Sequence, residues 1–93
     1  MIIEGLHHVN IVVDDLDAAR GFYGGVLGLS EDPKRPDFGS PGAWYDLGVG
    51  QLHISVGPKP DDQRGDHFAM RVADCAALAD QGEEGGVSVF RVP

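Results

Sequence analysis

The chain has 93 residues, 42% of them apolar, and 15 acidic against 7 basic residues give it a formal charge of −8. That length bounds it to one small domain burying only about 60–65% of its unfolded surface, so a partner chain would add core. The charge disfavours nucleic acid and anionic membranes, no apolar run nears the roughly 18 residues of a membrane span, the opening residues carry no basic leader, and one cysteine, Cys75, excludes an internal disulfide and points to a reducing cytoplasm.

Residues 6–13 alternate as a β-branched strand does, with His7, Val9, Ile11 and Val13 on one face and His8, Asn10 and Val12 on the other. Asp14 or Asp15 then offers an N-cap, and Leu16, Ala19, Phe22, Tyr23, Val26 and Leu27 recur at helical spacing until Gly28. A helix entered directly from a strand packs back on its sheet, and the face it covers is expected to be that of Val9, Ile11 and Val13. Pro33, Pro36, Gly39, Pro41 and Gly42 make 30–42 a loop or a weak strand. The runs AWYDLG (43–48) and QLHISVG (51–57) read as a hairpin turning through Gly48, Val49 and Gly50. Its second arm carries Leu52, Ile54 and Val56 on one face and Gln51, His53 and Ser55 on the other.

PKPDDQRGD (58–66) is polar and reads as a linker. After it, HFAMRVADCAALADQ (67–81) repeats the opening HVNIVVDDLDAARGF: His67 falls on His8, Ala69 on Asn10, Val72 on Val13 and Asp74 on Asp15. A strand from His67 and a helix capped by Asp74 are predicted, and GGVSVFRV (85–92) reads as one further strand.

A strand, helix and further strands occurring twice, each copy headed by a histidine, resembles the vicinal oxygen chelate superfamily, which contains glyoxalase I, the fosfomycin resistance enzymes, bleomycin resistance proteins and extradiol dioxygenases. The resemblance is carried by LHHVNIVVDDLDAARGFYGGVLGL, notably Asp15, Phe22, Tyr23 and the closing VLGL, by GAWYDLGVGQLHIS and by DHFAMRVAD, and it covers nearly the whole chain. It implies an α+β fold in which paired βαβββ modules form a cupped mixed sheet. Here module 1 spans about 1–57 and an incomplete module 2 about 67–93 of a single domain.

The resemblance further implies a divalent metal, Mn, Fe, Ni or Zn, held by the residues that head each module's opening strand, His8 and His67, and by a last-strand position, His53. A fourth ligand, usually a glutamate near a DPDGxxxEL stretch, would fall past Pro93, and the sequence contains no such stretch. Asn10, Trp44, Gln51 and Ser55 match substrate-lining positions of the resembled proteins. Imidazoles and a carboxylate around an ion with open positions suit Lewis-acid chemistry. His7 takes no role in this reading. Phe22 and Tyr23 fit helix packing, Cys75 beside acidic neighbours fits an inert thiol, and DDLD and DQGEEGG fit a cap and a solvated loop.

Nucleophile motifs and phosphate-cradling glycine loops are absent from the sequence. Two functions stay open. One is a metal-dependent enzyme of the glyoxalase or fosfomycin resistance type, a lyase, isomerase or thiol transferase acting on a small oxygen-bearing substrate. The other is a metal-free binding protein of the bleomycin resistance type that sequesters a drug or metabolite, for which the acidic surface would suit a cationic compound. In both, a small molecule is the partner, nucleic acid and membrane are not, and a homodimer is expected.

Overall fold

Strand β1 (His8–Val13) forms where the sequence alternates, and Asp15 ends it by leaving the strand in an extended conformation and turning its carboxylate back to accept from the Ala18 N–H at 3.0 Å. That bond satisfies one of the donors orphaned at a helix start, and helix α1 (Leu16–Arg20) follows. The structure is a computed structural model that describes residues 1–58 and 65–91. It divides into two compact units, Met1–Lys59 and Pro60–Pro93, with the boundary inside the polar stretch 58–66. Most of the predicted linker, and the last residue of the predicted final strand, Val92, lie outside the described residues.

In the first unit α1 does not run on as an α-helix to Gly28. From Gly21 to Val26 the chain takes a π-helical turn, with the Leu27 N–H bonded to the Phe22 carbonyl at 2.9 Å. Three glycines within GFYGGV lower the preference for an α-helical interior. The wider turn still keeps a close fit: a Cβ on Gly24 would lie 3.5 Å from the Tyr45 ring. Gly28, at φ +72°, ends the helix in the left-handed conformation that glycine adopts without strain.

Strands β2 (Gly42–Asp46) and β3 (Gln51–Val56) form the predicted hairpin, closed by a Leu47 N–H bond to Gly50 O at 2.8 Å. The sheet order is β1-β3-β2, with β3 central, parallel to β1 and antiparallel to β2. Glu31 adds an isolated bridge to Tyr45 on the outer side of β2, so the weak strand of 30–42 is reduced to one residue pair. The prolines around it lack the N–H that a ladder needs, and the glycines add no side chain to pack, so the pairing goes no further.

The core lies on one face. Leu52, Ile54, Ala43 and Tyr45 are buried there with Ala19 of α1, and register places Val9, Ile11 and Val13 beside them. This is the helix-covered face predicted from β1. Tyr45 reaches the surface rim with its hydroxyl, which donates to Glu31 Oε1 at 3.1 Å; the same oxygen takes the Arg20 Nε–H at 3.0 Å, tying helix, bridge and strand together.

In the second unit helix α2 (Cys75–Glu84) forms behind its predicted cap, Asp74, whose carboxylate accepts from Ala77 N–H at 3.0 Å. Gly82 is buried against Val89 and Val87, and Arg91 pairs with Asp80 and Glu83. The two predicted strands of this unit are not formed: among the described residues, 67–72 and 87–91 belong to no ladder, and Gly85 and Gly86 form a turn, Gly86 at φ +80°. Alternation prepares a segment to be a strand, but strand hydrogen bonds need an adjoining edge, which a helix does not offer. Among the described residues no helix is long and apolar enough to cross a membrane.

Candidate functional site

The face of the sheet opposite the core carries the residues singled out in the sequence. Register aligns Asn10 with His53 and His53 with Trp44, and His8 with Gln51 and Gln51 with Asp46, while Ser55 lies one step further along β3. Strand alternation therefore brings His8, Asn10, Trp44, Gln51, His53 and Ser55 to one surface.

The rings on that surface form a row across the strands. Trp44 and His53 are stacked at 4.1 Å between centroids and 6° between planes, and His53 and His8 continue the stack at 4.0 Å and 19°. His7, set aside in the sequence reading, closes the end of the row: its Nδ1 is 2.9 Å from His8 Nδ1 and its ring meets His8 edge-on at 5.2 Å. One of those two nitrogens must carry a proton and the other a lone pair, so His7 and His8 hold opposite roles at Nδ1.

The proton on His53 is fixed by its neighbours. The Gln51 amide donates to Asp32 Oδ2 at 2.9 Å and to Asp46 Oδ1 at 3.0 Å, which turns its carbonyl oxygen to His53 Nε2 at 2.9 Å. Since a carbonyl only accepts, Nε2 bears the hydrogen. Burial pushes the His53 pKa down, helped by His8, His7 and Arg35 and opposed by Asp32, so the ring is neutral near pH 7. The backbone N–H of Lys34 and the Gln51 amide hold the Asp32 carboxyl below the usual carboxylate range. Nearby, Ser55 Oγ donates to Asn10 Oδ1 at 2.9 Å and links β3 to β1.

The histidines as arranged do not fit an ion shared between them. A nitrogen lone pair lies in its ring plane, and an ion must sit in that plane about 2.0–2.1 Å from the nitrogen. Two rings stacked face to face direct their lone pairs side by side, and Nε2 of His53 is already occupied by a proton and Gln51. A shared ion requires the stack to open. His67 belongs to the second unit, where it is exposed and its Nδ1–H donates to the Gly65 carbonyl at 2.9 Å. Among the described residues no group of three or more His, Cys, Asp or Glu side chains could hold a metal ion.

Three residues of the 30–42 loop join this surface without having been anticipated. Asp32 orients Gln51, Phe38 lies 6.2 Å from Trp44 with a 48° tilt, and the Arg35 guanidinium carbon stands 5.1 Å from the Phe38 ring centre. The loop has no periodicity, and its only signal was the polar and aromatic residues among its prolines.

The family profile described as bleomycin resistance protein-like N-terminal matches residues 6–38. A solved structure described as a glyoxalase family protein from Bacillus anthracis is 26% identical with a TM-score of 0.80, over 90% of this chain and 71% of that one. The fosfomycin resistance protein FosX from Mesorhizobium loti is 25% identical with a TM-score of 0.68, again over 90% of this chain and 71% of that one. FosX from Listeria monocytogenes, at 17% identity and a TM-score of 0.76, covers 98% of this chain and 72% of that one, and at that identity speaks to the fold alone. No curated protein matches the chain.

Proposed function

From its place in the vicinal oxygen chelate superfamily, we propose that the protein binds a small molecule bearing a flat ring on the polar face of its first module, in the manner of a bleomycin resistance protein. The observation that supports this is the Trp44–His53–His8 stack. Flat polarisable faces in a row favour another ring at the end of the row, by stacking worth about 0.5–1.5 kcal/mol beyond the area buried.

The free end is the outer face of Trp44. A ring sandwiched between Trp44 and Phe38 needs roughly 7 Å, twice a contact distance of about 3.5 Å, and the two rings stand 6.2 Å apart. Phe38 is 59% exposed on its loop, so the wall has room to yield by the difference. Asn10, Gln51 and Ser55 would supply the polar contacts that orient the ligand. We place the protein in the cytoplasm as a homodimer, in which a second module would cover the bound molecule.

Trp44 is the sole tryptophan, so its emission reports directly on the face. Titration with benzyl alcohol should change that emission saturably, while cyclohexylmethanol, of similar bulk without a π face, should bind more weakly by about threefold or more, as expected for a stacking gain of this size. Equal affinity for the two would remove the stacking argument.

A second reading, a metal-dependent lyase, isomerase or transferase of the glyoxalase or fosfomycin resistance type, is favoured by the adjacency of His8 and His53. Under it the His8–His53 stack would have to open before either imidazole could hold a divalent ion such as Mn, Fe, Ni or Zn, and the ion would supply Lewis-acid polarisation of a substrate oxygen. Metal analysis of protein purified without a polyhistidine tag, with Zn²⁺ titration by calorimetry, separates the two. Tight stoichiometric binding that is lost in His53→Leu would favour the enzyme over the binding protein.

A further inference from the structure

Arg35 is a half-buried cation in a chain with twice as many acids as bases, and among the described residues no acid pairs with it. Among the described residues its guanidinium makes one hydrogen bond, a long one from Nη2 to the Ser40 carbonyl at 3.3 Å, and its Nε is buried with no partner. A guanidinium carries five donors in a planar fork suited to two-oxygen acceptors, and a buried donor left empty is costly. The chain also makes room for it. The neighbouring residue on β2 is Gly42, and a Cβ there would lie 2.5 Å from Nη2 and 2.9 Å from the guanidinium carbon. Gly42 stands two residues before Trp44 on the same strand, and Phe38, the wall facing Trp44, has Arg35 over its ring.

We propose that Arg35 receives an oxyanion, a carboxylate or a phosphonate, carried by the same molecule whose ring stacks on Trp44. The inference rests on the stacking reading and adds the charge of the ligand to it. It reverses the expectation drawn from net charge: the acidic total describes the surface at large, while Arg35, over the Phe38 ring, has no acidic partner among the described residues. The Asp32 and Asp46 carboxylates stand at the Gln51 end of the sheet face, where the Gln51 amide occupies them. Gly42 pairs with Ser55, which sets Arg35 towards the other end of β3.

The test compares phenylacetate, phenylphosphonate and benzyl alcohol as probes of the full chain, followed by Trp44 emission. The parent protein should prefer both anions to the alcohol by about tenfold or more, the range of a charge-assisted hydrogen bond. In Arg35→Met that preference should fall by about tenfold, and Arg35→Lys, which keeps the charge but not the fork, should retain an intermediate preference. If Arg35→Met does not fold, Arg35→Lys carries the comparison, with a drop of about threefold or more expected. Benzyl alcohol binding with no preference for the anions, or a preference unchanged in the Arg35 variants, would overturn the inference while leaving the stacking reading intact. Saturable binding by none of the three would remove both.

Discussion

Replacing Gly42 by alanine tests the most crowded of the described glycines. An added Cβ meets the Ile54 carbonyl oxygen at 2.5 Å and Arg35 Nη2 at 2.5 Å, about 1 Å inside an ordinary contact on both sides. The arginine can swing away, but Ile54 belongs to β3, whose own side chain is buried and whose ladder holds β1 and β2 together. Overpacking a core costs about 1–3 kcal/mol, and a backbone neighbour in the central strand places this change in the upper part, about 2–3 kcal/mol. A chain of this size has roughly 5–14 kcal/mol in total. At a urea slope of about 1.5 kcal/mol/M the midpoint should fall by about 1.3–2 M, followed by Trp44 fluorescence. Adding Arg35→Met removes one of the two clashes, and the double variant should still lose at least about 1 kcal/mol through the carbonyl. Gly24→Ala is the contrast, because its Cβ lies at an ordinary 3.5 Å from Tyr45, and it should match or exceed the parent's stability by up to about 1 kcal/mol. A Gly42→Ala protein within about 0.5 kcal/mol of the parent would refute the steric reasoning.

Leu52→Ala empties a fully buried site in the central strand and should cost about 2–5 kcal/mol in the same urea assay. Asp15→Ala removes the carboxylate that caps α1 and should cost about 1 kcal/mol, readable as a lower thermal midpoint. Burial raises the pKa of Tyr23, and burial with the Glu31 hydrogen bond raises that of Tyr45. A folded-state pKa above the unfolded value near 10 means that the associated stability is complete below pH 10 and is lost as pH rises through the tyrosine range. These are the only two tyrosines, so phenolate absorbance at 295 nm should rise later in native protein than in urea; coincident curves would contradict the burial.

Alternation made half of this molecule legible. The period of two in HVNIVV and QLHISV assigns each residue to a face whatever the sheet order, so the gathering of His8, Asn10, Gln51, His53 and Ser55 on one surface could be read before any coordinate. The aspartate caps of α1 and α2 were equally plain, because their chemistry is local. What pattern does not encode is torsion about side-chain bonds. Whether two neighbouring imidazoles converge on an ion or lie flat against each other depends on χ angles set by Gln51, Asp32 and Trp44 together. The π-helical turn was hidden because the apolar spacing of FYGGVL suits an α-helix nearly as well. The strand expected at His67 failed for the opposite reason: its pattern was right, but pairing is a property of two segments and a sequence shows one at a time.

The strand order also dictates when the first unit can assemble. β3 sits at the centre of the sheet and holds Leu52 and Ile54, yet it is the last of the three strands in the chain. A growing polypeptide that has emerged only through β2 therefore has two strands that do not touch in the final sheet and a helix with no sheet to lie on. The hairpin of β2 and β3 is the local contact that can form first; β1 must then join from the far end of the segment, a distant closure that slows folding. Until Val56 has cleared the ribosome, β1, with His8 and Asn10, stays unpaired and open to association with other chains.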